Sequence, residues 1–395
     1  MSLLPDLWPH FSRFLDAAPD RLHAAADSHH YWPDVTFAAQ QRCWEDAASL
    51  ADGKWARVLG DVLPTVQGGV ADLLGLPDSN TLAFAPNTHE FVVRLLSCLP
   101  AASRILTSDG EFHSFARQVR RLEEAGLAVV ERVPVLPYPD FPDRFATAAA
   151  EGGFDLVFVR QGFFDSGYAV DDIEALVAAV PDADTLVVID GYHGFLARPT
   201  DLGAIADRAF YLSGGYKYAM AGEGVCFLHC PPGYGARPRN TGWYAAFDAV
   251  TEAGGGVSYA EDGRRFLGAT FDPVGRYRLR AVLAWLTELK IGPRDIHVHV
   301  QALQARFLDG LDGLECPGGS ARLHPDQLLV PDAASRGNFL AFHTVEAPLL
   351  HEQLAAANVV VDYRGDRLLI GFGLYHQPHD IDRLLDGLGR VLRGG

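Results

Sequence analysis

The chain is short of lysine. Of its 33 basic residues only Lys54, Lys217 and Lys290 are lysine, and the rest are arginine. A protein that takes arginine wherever it needs a plain positive charge makes each lysine worth explaining. Lysine alone of the two can lose its proton and act as a nucleophile. Cysteine is also scarce: Cys43, Cys98, Cys226, Cys230 and Cys316 are scattered and odd in number. That excludes a disulfide framework and fits free thiols in a reducing cytoplasm. Basic charge is outweighed, with 33 basic against 50 acidic residues and a net charge of −17. A nucleic-acid partner is therefore not expected. No apolar run approaches the ~18–20 residues that span a bilayer. The opening MSLLPDLWPHFSRFLD has neither a basic start nor a long apolar core, so no signal peptide is read, and a cytoplasmic location is expected.

What is present is a large apolar share, 48% of 395 residues, too much for disorder and enough for two or three domains. Residues 1–50 read as an irregular arm, with DSHHYWPD (27–34) as an extended piece lying on something else. Residues 51–285 read as a large domain and 286–395 as a smaller α+β domain. From residue 80 the pattern alternates. TLAF (81–84), RILTS (104–108), LAVVERV, DLVFV, TLVVID, AFYLS (209–213) and VCFLH (225–229) are short apolar runs of the kind that form buried strands. Between them lie helical patterns: Glu90–Leu99; a stretch with Phe115, Val119 and Leu122 on one face; and one starting at Asp171-Asp172. This predicts an α/β fold with a mostly parallel sheet covered by helices. A long helix follows at about 273–290. The last hundred residues give strands at NFLAFHT, VVVDY and RLLIGF, a helix near Leu349–Ala357, and a terminal helix with Ile381, Leu384, Leu385, Leu388 and Leu392 on one face.

Two of the lysines have plain readings. Lys54 sits on a solvated helix, and Lys290 is in a last helical turn, where a cation suits the dipole. Lys217 differs. It lies in SGGYKYAMAGEG, a turn between two strands, where glycines let a ligand approach the backbone. A partly desolvated lysine there has its pKa lowered and can form a Schiff base with an aldehyde. Asp190 ends TLVVID, at the ligand-binding edge of such a sheet. It is either a helix cap or the carboxylate that keeps the ring nitrogen of pyridoxal phosphate protonated. His193, three residues on, falls on the same side. In APNTHEF (85–91), Asn87 or Thr88 is a natural N-cap, and free amides at a helix start bind phosphate. EFHSF (111–115) brings Phe112 and His113 to the same edge, and either could stack on a flat ring.

In this order the residues resemble the fold-type-I enzymes of the class V aminotransferase superfamily, and its kynureninase branch most of all. The resemblance spans roughly 50–395. It implies an aspartate aminotransferase-like large domain with a seven-stranded sheet and a cofactor, pyridoxal 5′-phosphate. Lys217 would hold that cofactor, Tyr216 and Ser213 would join Asn87 and Thr88 around it, and Asp190 would pair with the pyridine nitrogen. TGWY (241–244) is similar to a Gly-Trp-aromatic element, so Trp243 would contact phosphate or substrate. ATFDPVG (269–275) resembles a segment that reaches the site, usually the dimer partner's, which makes Thr270 and Asp272 candidates and a homodimer the expectation. The implied activity is that of an enzyme on a small amino acid or amine, of aminotransferase type, with kynureninase-type C–C hydrolysis as the alternative.

The chain departs from its relatives in one strand. Many carry a carboxylate-gripping arginine where RLLIGFG here presents Leu369. Arg336 and Arg364 are candidate replacements for charge, and His30 and Tyr31 for shape. Kynureninases also carry a carboxylate near the position of Phe115. A desulfurase reading has only Cys316, in LECPGG, as a loose thiol candidate. Metal binding by Cys226, His229 and Cys230 is not expected, because neighbours along a strand point to opposite faces.

Overall fold

The computed structural model describes residues 4–249, 256–314 and 323–393. The apolar runs form seven strands: β1 Leu82–Ala85, β2 Ser103–Ser108, β3 Ala128–Val133, β4 Leu156–Arg160, β5 Leu186–Asp190, β6 Ala209–Gly214 and β7 Cys226–His229. They make one sheet in the order β1-β7-β6-β5-β4-β2-β3. Only β7 runs against its neighbours; the other contacts, β6 to β5, β5 to β4, β4 to β2 and β2 to β3, are parallel. Every residue of β1, β4, β5, β6 and β7 is buried. Alternate residues feed two separate cores: Val157, Val159, Val187 and Ile189 on one face, Phe158, Leu156, Val188 and Leu186 on the other. A sheet covered on both faces has no use for a polar alternation, so its strands read as continuous apolar runs.

Helices cover those faces: α1 Val35–Leu50, α2 Leu63–Leu74, α3 Thr88–Leu96, α4 His113–Glu124, α5 Phe141–Ala150, α6 Ile173–Ala178, α7 Val274–Leu289 and α8 Pro293–Asp312. Asp172 caps α6, its Oδ1 accepting from the amide of Ala175 at 2.8 Å. Beyond them β8 Phe339–His343, β9 Asp362–Arg364 and β10 Arg367–Gly371 form an antiparallel sheet in the order β9-β10-β8. It is flanked by α9 Ala347–Ala356 and α10 Pro378–Arg393. Ile381, Leu384, Leu388 and Leu392 of α10 are buried.

The first fifty residues are more ordered than their composition suggests. Leu22–His23 pairs in parallel with Val359–Val360, and Ala25 bridges to Gly371. Asp27 then presses on Gly371 so closely that a Cβ there would lie 2.1 Å from Asp27 Oδ1. The helix α1 corrects the irregular reading of this stretch. Its fully buried residues are Thr36 and Asp46. Asp46 accepts from the Tyr277 hydroxyl of α7 at 2.8 Å, and the half-buried Val35, Ala39 and Cys43 pack beside it, a stripe too small and too mixed with polar residues to stand out. The helix α8 lay in a stretch read only as part of an α+β region.

Candidate active site

In parallel strands the carboxyl ends gather at one edge, and that is where the singled-out residues converge. Asp190 is the last residue of β5 and stands in register with Arg160, the last of β4. β6 ends at Gly214 and runs into the turn that carries Lys217. β1 ends at Ala85, just before α3 begins, and β2 ends at Ser108, just before Glu111 and Phe112.

Lys217 is half-buried, and its Nζ donates to the main-chain oxygen of Asp27 at 2.6 Å. Burial lowers its pKa to about 8, against a smaller opposing pull from Asp27, with Arg160 adding repulsion. An amine in this range supplies a usable neutral fraction near neutral pH. The turn is held from behind: the Tyr218 hydroxyl lies 2.9 Å from the carbonyl oxygen of Asn338 and 2.6 Å from that of Phe372.

Asp190 is buried, and its Oδ1 accepts from the amide of Tyr192 at 3.0 Å. Its Oδ2 lies 3.8 Å from Arg160 Nε. His193 is half-buried with its ring 5.8 Å from that of Phe339. Burial, and then the charges of Lys217 and Arg160, hold its pKa well below the ordinary value, so its imidazole is neutral at pH 7. Phe112 is exposed at the start of α4 and packs edge-on to Phe164 with centroids 5.2 Å apart; His113 beside it is also exposed.

The remaining expected contacts divide. Asn87 caps α3, its Oδ1 accepting from the amide of Glu90 at 3.1 Å, and Thr88 is the first helical residue. Ser213 is buried and donates to the carbonyl of Gly191 at 3.1 Å. Tyr216 meets His29 edge-on at 5.4 Å. Trp243 is exposed and rests on Tyr244. Thr270 is exposed and lines a cavity of about 180 Å³ with Pro86, Glu90 and Arg94. Asp272 lies just ahead of α7, its Oδ1 accepting from the amide of Val274 at 2.9 Å.

Three of the expected substrate contacts, His30, Tyr31 and Arg336, are already engaged within the protein. His30 is fully buried, with Nδ1 2.6 Å from the carbonyl of Tyr31 and Nε2 accepting from the amide of Leu374 at 3.1 Å. Burial takes its pKa to about 3. Tyr31 is stacked between His23 and Tyr375, with centroids 4.3 and 4.8 Å away. Both are packing residues. Arg336 is buried with its guanidinium committed to Gln304 Oε1 at 2.9 Å and to the carbonyls of Val330 and Pro331 at 3.1 and 3.0 Å. It holds a loop and is not free to grip a substrate. Arg364 is exposed and paired with Asp362 at 2.6 Å. Leu369 is fully buried in β10 against Phe339 and Ala341. His229 has both ring nitrogens within 2.9 Å of Thr81 Oγ1 and the carbonyl of Ala206. Cys316 lies outside the described residues.

Sequence reasoning missed three groups here. Arg160 is fully buried, and its Nε and Nη1 have no hydrogen-bond partner. Glu111 is buried with Oε1 2.6 Å from Ser108 Oγ and Oε2 unpartnered; burial raises its pKa to about 8. Asp27 is buried with Oδ1 unpartnered. Arg160 had a signal, a lone cation closing an otherwise apolar strand. Asp27 had none, because its contact with Lys217 spans 190 residues.

Residues 56–327, well over half of the chain, match the aminotransferase class-V family. The chain belongs to that family. A curated relative, a probable cysteine desulfurase of Vibrio cholerae, is 23% identical over 350 residues, covering 82% of this chain and 81% of the relative. Among solved structures, a lysine-to-alanine mutant of C-DES with glycine covalently linked to its PLP cofactor superimposes with a TM-score of 0.78 at 16% identity, covering 98% of this chain and 99% of the other. The apo cysteine desulfurase of Thermococcus onnurineus NA1 gives 0.77 at 16% identity, covering 100% and 99%. These structures share the fold of this class V chain.

The cofactor of the family, and of this chain, is pyridoxal 5′-phosphate. The donor set fits it. A lysine with a lowered pKa, a buried carboxylate at the end of β5, a capped helix start at α3, and the rings of Phe112 and His193 all border one edge. Arg160, in register with Asp190 at the same edge, has Nε and Nη1 without a hydrogen-bond partner.

Proposed function

We propose that this class V enzyme acts on a small α-amino acid, with Lys217 both holding the cofactor and moving the proton of the carbon that bears the amino group, in an aminotransferase-type reaction. The observation that carries this is Lys217 itself: half-buried, with a pKa of about 8, at the sheet edge that also bears Asp190. Bound pyridoxal phosphate supplies the electron sink for the bonds around that carbon. The residues do the rest. Asp190 holds a proton on the ring nitrogen, His193 in its neutral form packs against the site, and Lys217 near its own pKa can both take and return a proton.

A second reading, loss of a sulfur-bearing side chain, is supported by the relatives, which include cysteine desulfurases and a cystine C–S lyase. Against a desulfurase that uses its own thiol stand the described cysteines. Burial pushes the Cys226 thiol up to about 12 and Cys98 up to about 11, and a reactive thiol needs the opposite shift. Kynureninase-type hydrolysis is the finer alternative that the sequence raised.

One experiment separates the three. The holoenzyme is incubated with a panel of L-amino acids, and products are identified with and without a 2-oxo acid acceptor. Acceptor-dependent amino transfer supports the proposal. Acceptor-independent pyruvate with sulfide from cysteine or cystine replaces it with the lyase reading, and anthranilate from L-kynurenine replaces it with hydrolysis.

A further inference from the structure

We infer that Arg160, at the end of β4, is the residue that grips the substrate carboxylate, in place of the arginine that Leu369 lacks. The inference rests on the proposed amino-acid reading and goes further by naming the anchor. Residues in register on neighbouring strands point to the same face, so Arg160 and Asp190 project together towards the cofactor edge. The guanidinium carbon of Arg160 lies 4.9 Å from the ring centre of Phe164 and 5.8 Å from that of Phe112. Its Nε and Nη1 are buried and unpartnered.

A buried cation held by one long ion pair and no hydrogen bond at Nε or Nη1 is costly, and protein structures rarely leave one so. Two carboxylates lie near, and neither satisfies it in the working enzyme. Asp190, 3.8 Å from Nε, is committed to the ring nitrogen once the cofactor is bound. Glu111, with its pKa raised to about 8 by burial, is mostly neutral at pH 7. The counter-ion must then arrive with the ligand. It is not the cofactor phosphate, whose helix-start site at α3 follows β1. In the strand order β1 lies on the far side of Asp190 from Arg160. A substrate carboxylate is the anion left, and a guanidinium fork holds one through two parallel hydrogen bonds.

Of the other arginines, Arg336 holds Gln304 and two carbonyls and Arg367 holds Asp165, while Arg94, paired with Glu90, and Arg276, over the ring of Phe84, stand on the β1 side of the sheet. Arg364 is exposed, pairs with Asp362 and adds its charge at Lys217 and His193, which makes it the rival anchor that the test includes. The inferred substrate class is therefore an α-amino acid and not a plain amine.

The test uses two reagents that attack the lysine-bound cofactor through the same aminooxy nitrogen, aminooxyacetate and O-methylhydroxylamine. Only the first has a carboxylate. Bleaching rates of the cofactor band are measured in the wild-type holoenzyme and in Arg160→Met, Arg160→Lys and Arg364→Met. The wild type should favour aminooxyacetate. Arg160→Met should lose that preference by roughly 10- to 100-fold, the worth of hydrogen bonds to a charged group, while its rate with O-methylhydroxylamine stays within about twofold. Arg160→Lys should recover part of it, and Arg364→Met should keep it. An unchanged ratio in Arg160→Met overturns the inference, as does a wild type with no preference or a loss confined to Arg364→Met. Equal slowing of both reagents would make Arg160 a support for Asp190 and also overturns it. If Arg160→Met takes up no cofactor, Arg160→Gln makes the same comparison. A wild type that forms no cofactor band at all would instead sink the underlying reading.

Discussion

The amine of Lys217 is hydrogen-bonded to the main-chain oxygen of Asp27, 2.6 Å away, so the lysine proposed to hold the cofactor is itself held by a segment from the far end of the sequence. A carbonyl can only accept. It orients the amine without setting its pKa, which burial lowers to about 8. The neutral amine is the form that reacts with an aldehyde. At pH 7 about one molecule in ten has it, against about one in three thousand for an unshifted lysine. Reconstitution of apoenzyme with pyridoxal phosphate should therefore accelerate about tenfold per pH unit below 8 and level off above it, measured by growth of the cofactor band. Lys217→Ala should give no band that borohydride can fix, and almost no turnover.

Asp190→Asn keeps the shape of the β5 end but removes the charge proposed to hold a proton on the ring nitrogen. The variant should still take up cofactor, with turnover reduced by about 100-fold or more. Unchanged turnover would reduce Asp190 to its hydrogen bond with the amide of Tyr192.

We expect a homodimer. Trp243 and Phe247 are exposed at 44% and 47%, large aromatics on one face beside the exposed Thr270. Light scattering should give twice the chain mass of 42.9 kDa, and Trp243→Ala should weaken association in a dilution series.

Leu369 is fully buried between neighbours on β8 and β9. Leu369→Ala should cost about 2–5 kcal/mol of stability, measured by denaturant unfolding. Leu369→Arg should be worse, because it forces an unpaired charge into that core without restoring a grip on substrate.

The sheet was legible because its strands are buried on both faces and announce themselves as short apolar runs; β4 to β6 fall within one residue of their expected ends. The positions of Asp190 at the end of β5 and of Lys217 in the turn after β6 were legible because both adjoin recognisable apolar runs. The helix α1 was not, since its fully buried residues are Thr36 and Asp46 and its apolar contacts, Val35, Ala39 and Cys43, are few and small. Nor was the packing role of His30 and Arg336. Both are residue types that usually signal chemistry, and only their partners, the amide of Leu374 and the side chain of Gln304, show that their hydrogen-bonding capacity is spent.

The hydroxyl of Tyr218 reaches the carbonyls of Asn338 and Phe372, more than a hundred residues downstream of the lysine it adjoins. During synthesis that hydroxyl has nothing to meet until nearly the whole chain has left the ribosome. The Tyr218 brace of the lysine turn can therefore close only once residues 338 and 372 are made. A product ended before residue 338 would keep the Asp27 contact of Lys217 within reach but lose both partners of Tyr218.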